Sequence, residues 1–107
     1  MARIHISPEA ESDLQDIKEY IAVELANPVA AIHTVSTITK GMRRLIAFPD
    51  SGAPLSSLVN IQTDYRFVGA GNYLVFYRHE QGDVYIVRVL YNRRDYVRML
   101  VASEHEK

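Results

Sequence analysis

The stretch that decides the fold is NYLVFYRHEQGDVYIVRVLYNRRDYVRML, residues 72–100. Two segments in it, residues 72–79 and 83–90, are rich in β-branched and aromatic residues, and the second alternates strongly between its two faces. The residues between them, EQGD, favour a tight turn. The stretch therefore predicts an antiparallel strand pair followed by a short C-terminal helix at residues 93–101.

The residues before this stretch predict a neighbouring strand and two helices. Residues 64–69, DYRFVG, complete a three-stranded antiparallel meander. Ser7-Pro8 and Asn27-Pro28 each combine an N-cap residue with proline at the first helical position, so a helix is expected after each. The short connection between these helices predicts an antiparallel hairpin. Apolar residues recur every three or four positions in both: Ala10, Leu14, Ile17, Ile21 and Leu25, then Ala31, Val35, Ile38, Met42 and Leu45.

The predicted element order is β-α-α-β-β-β-α, because residues 3–6, RIHI, alternate like a first strand. This order is typical of an α+β fold, in which the N-terminal helical hairpin packs on one face of a small, largely antiparallel sheet. The other face is expected to stay partly open. A chain of 107 residues is expected to form one domain, residues 1–107.

Composition excludes several kinds of chemistry. The chain has no cysteine, which removes disulfides and thiolate nucleophiles and fits a reducing cytoplasm. It has no signal-like start and no apolar run long enough for a membrane span, so a cytoplasmic location without membrane contact is expected. Its four histidines are scattered, and no metal or cofactor is predicted.

The C-terminal half is locally basic and predicts a partner surface. Residues 65–101 carry six arginines and three acids, although the whole chain has a net charge of −1. This asymmetry indicates an acidic partner, or else an ordinary solvated face. Basic side chains among aromatic ones suit nucleic acid or an acidic protein segment, although strand tyrosines also serve simply as packing residues. The residues expected to line the free side of the sheet are Arg66, Arg78, Arg93, Arg94 and Arg98, with Tyr73, Tyr77 and Tyr91 between them.

Arg88 lies in the most apolar strand and needs a partner, since an unpaired buried charge is costly. Strict alternation places Val84, Ile86, Arg88 and Leu90 on one face. The nearest carboxylate in the sequence, Asp95, predicts an Arg88–Asp95 pair that pins the last helix to the sheet; a direct contact with a partner is the alternative. Asn92 is expected to form the turn after the strand. Glu9, Asp13 and Asp16 are expected to form a solvated acidic face on the first helix.

The element order and residues 72–100 resemble the RelE/ParE superfamily of toxins from bacterial toxin-antitoxin pairs. The resemblance covers essentially the whole chain and rests on SPEA at residues 7–10, YLVFYR at 73–78 and RVLYNRRD at 88–95. In the last motif, Tyr91 and Asn92 occupy positions where the family pattern has histidine and glycine. The resemblance implies one of two activities: RelE-like members cut messenger RNA on the ribosome, whereas ParE-like members poison DNA gyrase.

Residues at the nuclease positions favour the ParE-like branch. No lysine occurs between Lys40 and Lys107, Tyr73 stands where RelE-like enzymes carry a phosphate-binding arginine, and Arg98 stands near the catalytic aromatic position. The sequence pI of about 6.4 also fits poorly with RNA binding. The resemblance therefore predicts a non-enzymatic gyrase inhibitor that is neutralised by a cognate antitoxin.

Two alternatives remain at the level of sequence. One is a RelE-like endoribonuclease that cuts ribosome-bound mRNA with Arg66, Tyr91, Arg93 and Arg94. The other is a non-toxic binding module on the same fold. The residues predicted to bind a partner are Arg66, Tyr73, Arg78, Tyr91, Arg93, Arg94 and Arg98, and those predicted to be structural are Arg88, Asn92 and Asp95.

Overall fold

A computed structural model of the protein describes residues 3–57 and 62–92. The strands are β1 (Ile4–Ile6), β2 (Ala53–Pro54), β3 (Arg66–Ala70), β4 (Tyr73–Glu80) and β5 (Asp83–Tyr91). The helices are α1 (Pro8–Glu19) and α2 (Pro28–Ala47). A π-helical turn, Tyr20–Glu24, extends α1, and a 3-10 turn, Leu55–Ser57, follows β2.

The five strands form one mixed sheet in the order β1-β5-β4-β3-β2. Neighbouring strands are antiparallel except β1 and β5, which are parallel. The predicted α+β fold with N-terminal helices and an antiparallel meander is therefore confirmed. The two-residue edge strand β2 was not predicted. The expected C-terminal helix, with Arg93, Arg94, Asp95 and Arg98, lies outside the described residues.

Both helices begin at the predicted caps. The Ser7 hydroxyl accepts a hydrogen bond from the Ala10 N–H at 3.0 Å, and the Asn27 side chain accepts one from the Ala30 N–H at 3.1 Å. Each satisfies one of the backbone donors that a helix start leaves unpaired. Between the helices, Ala26 adopts a positive φ of 52°, which reverses the chain in a short turn. The two helices are in contact with each other and with the sheet.

Apolar side chains are buried on both faces of the sheet. On the helix side, the cluster includes most of the predicted helix stripes and, from the sheet, Ala70, Val75, Tyr77, Val84, Ile86 and Val89. Leu25 and Val35 are exceptions: neither belongs to the cluster, and Leu25 is 55% exposed, because the chain turns away from the sheet after the π-helical turn. On the opposite face, a second cluster contains Leu55, Leu74, Phe76 and Leu90, with Tyr65 and Phe67 packed against it. Phe76 is fully buried. The expectation of a partly open second face therefore does not hold around Phe76.

An irregularity in β5 overturns the strict alternation expected for that strand. Phe76 pairs with Arg88 whereas Tyr77 pairs with Ile86, so Val87 is an extra residue, which makes a β-bulge. As a result Val84, Ile86 and Val89 belong to the helix-side cluster, while Leu90 belongs to the other. The prediction that residues 84, 86, 88 and 90 share one face was wrong because a bulge shifts the period of two by one residue.

Asp13 of α1 binds the strand just beyond the bulge. Its two carboxylate oxygens accept hydrogen bonds from Arg88 Nε at 2.8 Å and Nη2 at 2.9 Å, and one also accepts the Val89 N–H at 2.9 Å. The two side chains are only 14% and 12% exposed. The expected solvated position of Asp13 was therefore wrong: Asp13 is a partner of Arg88, and the hydrogen bond raises the pKa of Arg88. Asp95, the partner predicted from sequence, lies outside the described residues.

We predict that Asp13→Ala lowers the free energy of unfolding by about 3 kcal/mol, because it removes the carboxylate that accepts two hydrogen bonds from a nearly buried guanidinium and one from a backbone N–H. Urea unfolding followed by circular dichroism measures the change. Asp16→Ala is the matched control, since Asp16 is exposed on the same helix and should cost no more than about 0.5 kcal/mol. Equal losses in the two variants would contradict a bracing role for Asp13.

Candidate functional site

Arg66 and Tyr77 lie side by side on the helix face and hold the loop at residues 49–52. Arg66 Nη1 donates to the Gly52 carbonyl at 2.8 Å. The Tyr77 hydroxyl donates to the Pro49 carbonyl at 2.7 Å and accepts the Gly52 N–H at 2.9 Å, and burial raises the pKa of Tyr77. A Cβ at position 52 would lie 2.5 Å from that hydroxyl, so glycine is required there. Both side chains therefore have a structural role that the sequence did not reveal.

Tyr73 and Tyr91 meet at the other end of the helix face. Their rings lie edge to face with centroids 5.4 Å apart, and Tyr73 packs against the helix-side cluster. Burial raises the pKa of Tyr73, and the nearby hydroxyls of Tyr91 and Tyr20 raise it further. Tyr91 is 51% exposed, so this pair borders solvent. Tyr73 and Tyr91 lie on the helix face, whereas Arg78, one residue after Tyr77 of that face, lies on the other.

Arg78 lies on the opposite face, at the end of a row of stacked side chains. Its guanidinium is 5.3 Å from the centroid of the Tyr85 ring, and Tyr85 stacks on His5 with centroids 4.6 Å apart and an interplanar angle of 12°. The register places the three on neighbouring strands β4, β5 and β1. We refer to Arg78, Tyr85 and His5 as the Arg78 row. At one end of the row, Arg78 Nη1 lies 2.9 Å from a Glu80 carboxylate oxygen, and at the other, His5 Nε2 lies 2.9 Å from an Asp83 carboxylate oxygen.

An open cavity of about 400 Å³ lies beside the Arg78 row. Tyr65 and Val87 add apolar surface to its wall, and Glu9 adds a carboxylate. Apolar and aromatic surface next to a cation suits the side chains of a protein partner. Part of this row is predictable from the sequence. The alternation of RIHI and of residues 83–87 puts His5 and Tyr85 on the sheet face that the apolar residues of their strands do not occupy.

The structure thus separates the residues predicted to bind a partner. By strand register, Arg66 and Tyr91 lie four residues apart along the strands and two strand spacings across them, a Cα separation of roughly 16 Å. Arg78 is on the other face, and Arg93, Arg94 and Arg98 lie outside the described residues. Arg66 and Tyr91 therefore lie at opposite ends of the helix face, and Arg66 is bound to the Gly52 carbonyl. Asn92 follows β5 directly, where its N–H donates to the Asn72 carbonyl at 3.0 Å.

Residues 3–57 and 62–92 contain no cluster of histidine, aspartate and glutamate side chains that could hold a metal ion. None of the helices in these residues has the length and hydrophobicity of a membrane span. Two cavities of the described residues adjoin cations and aromatic rings: the one beside the Arg78 row and one of about 290 Å³ lined by Arg66, Tyr65 and His79.

Hydrogen bonds from His5 and from the Arg3 N–H lower the pKa of Asp83. A lowered carboxyl pKa means that these contacts stabilise the fold at pH values above about 4 and are lost as the pH falls through the pKa of folded Asp83. We predict that His5→Phe, which keeps an aromatic ring against Tyr85 but removes the ring nitrogens, raises the pKa of Asp83. An NMR titration of the side-chain carboxyls measures this, with exposed Asp64 as the internal control. An unchanged Asp83 titration would contradict the His5 contact.

Comparisons with known proteins agree with the architecture. The family model described as "ParE toxin of type II toxin-antitoxin system, parDE" matches residues 4–96. A solved structure titled "Chromosomal ParDE TA system from P. aeruginosa" is similar, with a TM-score of 0.72 and 21% sequence identity. The alignment covers 87% of this chain and 98% of that one, and at this identity the likeness shows the fold alone. No curated protein matches the sequence.

Proposed function

The chain belongs to the ParE toxin family of type II toxin-antitoxin systems, and from that premise we propose that it inhibits DNA gyrase and is neutralised by a cognate antitoxin. The family match over residues 4–96 is the observation that carries this proposal. Gyrase acts on the chromosome, so the proposal includes a cytoplasmic site of action. The absence of cysteine is consistent with that compartment.

The geometry of the described residues supports gyrase inhibition over RNA cleavage. Cleavage of RNA needs a base, an acid and a cation around one phosphate. Arg66 is committed to the Gly52 carbonyl, and its Cα is roughly 16 Å from that of Tyr91 by strand register. We therefore propose that the chain acts by binding and not as an enzyme.

We predict that the purified full-length chain inhibits gyrase supercoiling or traps cleaved plasmid, while translation on intact ribosomes is unaffected. Both assays use the same protein preparation, with relaxed plasmid and gyrase in one and ribosomes with reporter mRNA in the other. Cuts in ribosome-bound mRNA with normal supercoiling would overturn the proposal in favour of the RelE-like nuclease. No effect in either assay, from protein with the circular dichroism of a folded α+β domain, would instead favour a non-toxic binding module.

For the antitoxin, we propose that an acidic amphipathic segment docks on the cavity beside the Arg78 row. The guanidinium of Arg78 is partly exposed, and Tyr85, Tyr65 and Val87 offer apolar surface next to it. An acidic segment gains charge contacts at Arg78 and buries apolar side chains against the rings. This is the face of the sheet that the helical hairpin leaves uncovered.

We predict that Arg78→Glu weakens antitoxin binding about ten-fold, since it places a carboxylate opposite an acidic segment. Tyr85→Ala should have a similar or larger effect through the lost aromatic contact. Isothermal titration with the antitoxin encoded beside this gene measures both. Lys18→Glu, an exposed charge reversal on α1, is the matched control and should bind like the unaltered chain. Unchanged affinity in both variants would place the antitoxin elsewhere.

A further inference from the structure

His5 is the member of the Arg78 row whose charge can change near neutral pH, because imidazole is the side chain that ordinarily titrates between about pH 5 and 8. Its ring stacks on Tyr85 with centroids 4.6 Å apart, and its Nε2 lies 2.9 Å from an Asp83 carboxylate oxygen. The side chain is 44% exposed, so water has access to the ring. His5 also lines the cavity beside the row. A proton gained by His5 therefore adds a positive charge to the wall of that cavity.

The charged groups that face His5 come from each element around it. Asp83 accepts hydrogen bonds from the His5 ring and from the Arg3 N–H. Tyr65 and Tyr85 add phenols, which carry no charge near neutral pH. The charged side chains are Arg3 at the start of its own strand, Asp83 from β5, Arg78 and Glu80 from β4, and Glu9 from α1.

The balance of these charges depends on the protonation state of His5. With a neutral His5, two cations face three carboxylates, so the surroundings of the cavity carry a net negative charge. With a protonated His5, the numbers of cations and carboxylates are equal. An acidic partner is therefore repelled by the first state and is no longer repelled by the second. Protonated His5 also neutralises Asp83, the carboxylate that it already contacts.

We propose that protonation of His5 controls the binding of an acidic antitoxin segment to the Arg78 row. The proposal rests on the antitoxin surface proposed above and concerns its regulation. The strand register places His5 and Arg78 on either side of Tyr85, two strand spacings or roughly 10 Å apart. A protonated row thus presents two cations with an aromatic ring between them. An acidic segment with apolar side chains contacts both cations and packs on the ring.

The direction of the pH dependence follows from linkage. The antitoxin binds better to the form with protonated His5, so its affinity is highest below the pH at which His5 titrates and falls as the pH rises through that value. By the same linkage, binding takes up a proton at pH values where the free protein has a neutral His5. Aspartate and glutamate ordinarily titrate near pH 4, so carboxylates of the partner stay ionised over the interval that concerns His5.

The test is isothermal titration of the full-length chain with the antitoxin encoded beside this gene, between about pH 5.5 and about pH 8. The dissociation constant of the unaltered chain should rise about ten-fold over this interval. Near the upper end, binding should take up about one proton, which makes the heat of binding depend on the ionisation enthalpy of the buffer.

Three variants separate the charge of His5 from its ring. His5→Arg carries a permanent charge and should bind tightly at every pH. His5→Phe keeps a ring against Tyr85 without a charge and should bind weakly at every pH. His33→Gln removes an exposed histidine on α2, far along the chain from the row, and is the matched control that should follow the unaltered chain. Circular dichroism at each pH checks that all variants are folded.

The possible results distinguish this proposal from the antitoxin surface on which it rests. Equal affinity at every pH, with binding that Arg78→Glu still weakens, would overturn control by His5 and leave the antitoxin surface in place. A pH dependence that persists in His5→Phe would also overturn it, since another group would then be titrating. Affinity that neither pH nor Arg78→Glu alters would overturn both, because the antitoxin would then bind elsewhere.

Discussion

The bond of Asp13 to Arg88 and to the Val89 N–H fixes how the helical layer sits on the sheet. β1 pairs with β5 only as far as Ile86, so the edge of β5 beyond that point needs other partners. The residues of the α1 start supply them: the Ser7 hydroxyl donates to the Val87 carbonyl at 2.8 Å, and Asp13 accepts the Val89 N–H. One helix thereby replaces the missing length of one strand. Side chains of α1 and its N-cap thus bond the backbone groups of β5 that β1 does not reach, which requires the helix to start after Ser7 and to run over β5.

The bulge at Val87 lies just beyond Ile86, where the pairing of β1 with β5 ends. It shifts the alternation of β5 by one residue, so Val89 packs under the helices and Leu90 joins Phe76 on the far face. Without the shift, Leu90 and not Val89 would face the helices, and the second cluster would lose a member. The sheet can therefore be apolar on both sides, with Arg88 at the edge where a carboxylate reaches it.

The sequence predicts the elements of this fold better than their contacts. Caps, helix periodicity and strand composition are local signals, and Ser7-Pro8 and Asn27-Pro28 begin helices as expected. The bulge, the Asp13–Arg88 pair and the Arg66–Gly52 bond join residues that are far apart in the chain, and no local pattern specifies them. Arg66 shows the consequence for function: composition suggests a contact surface, but the side chain supports a loop.

The fold also distributes charge and aromatic surface in a way that composition cannot reveal. A net charge of −1 is the sum of an acidic α1, a basic α2 and a sheet whose cations face in two directions. Arg66 points toward the loop under the helix face, whereas Arg78 stacks on Tyr85 on the opposite face. Such a division allows each surface to be complementary to a different partner. The charged hairpin and the Arg78 row are therefore physically separate surfaces, so a substitution on one should leave the other intact.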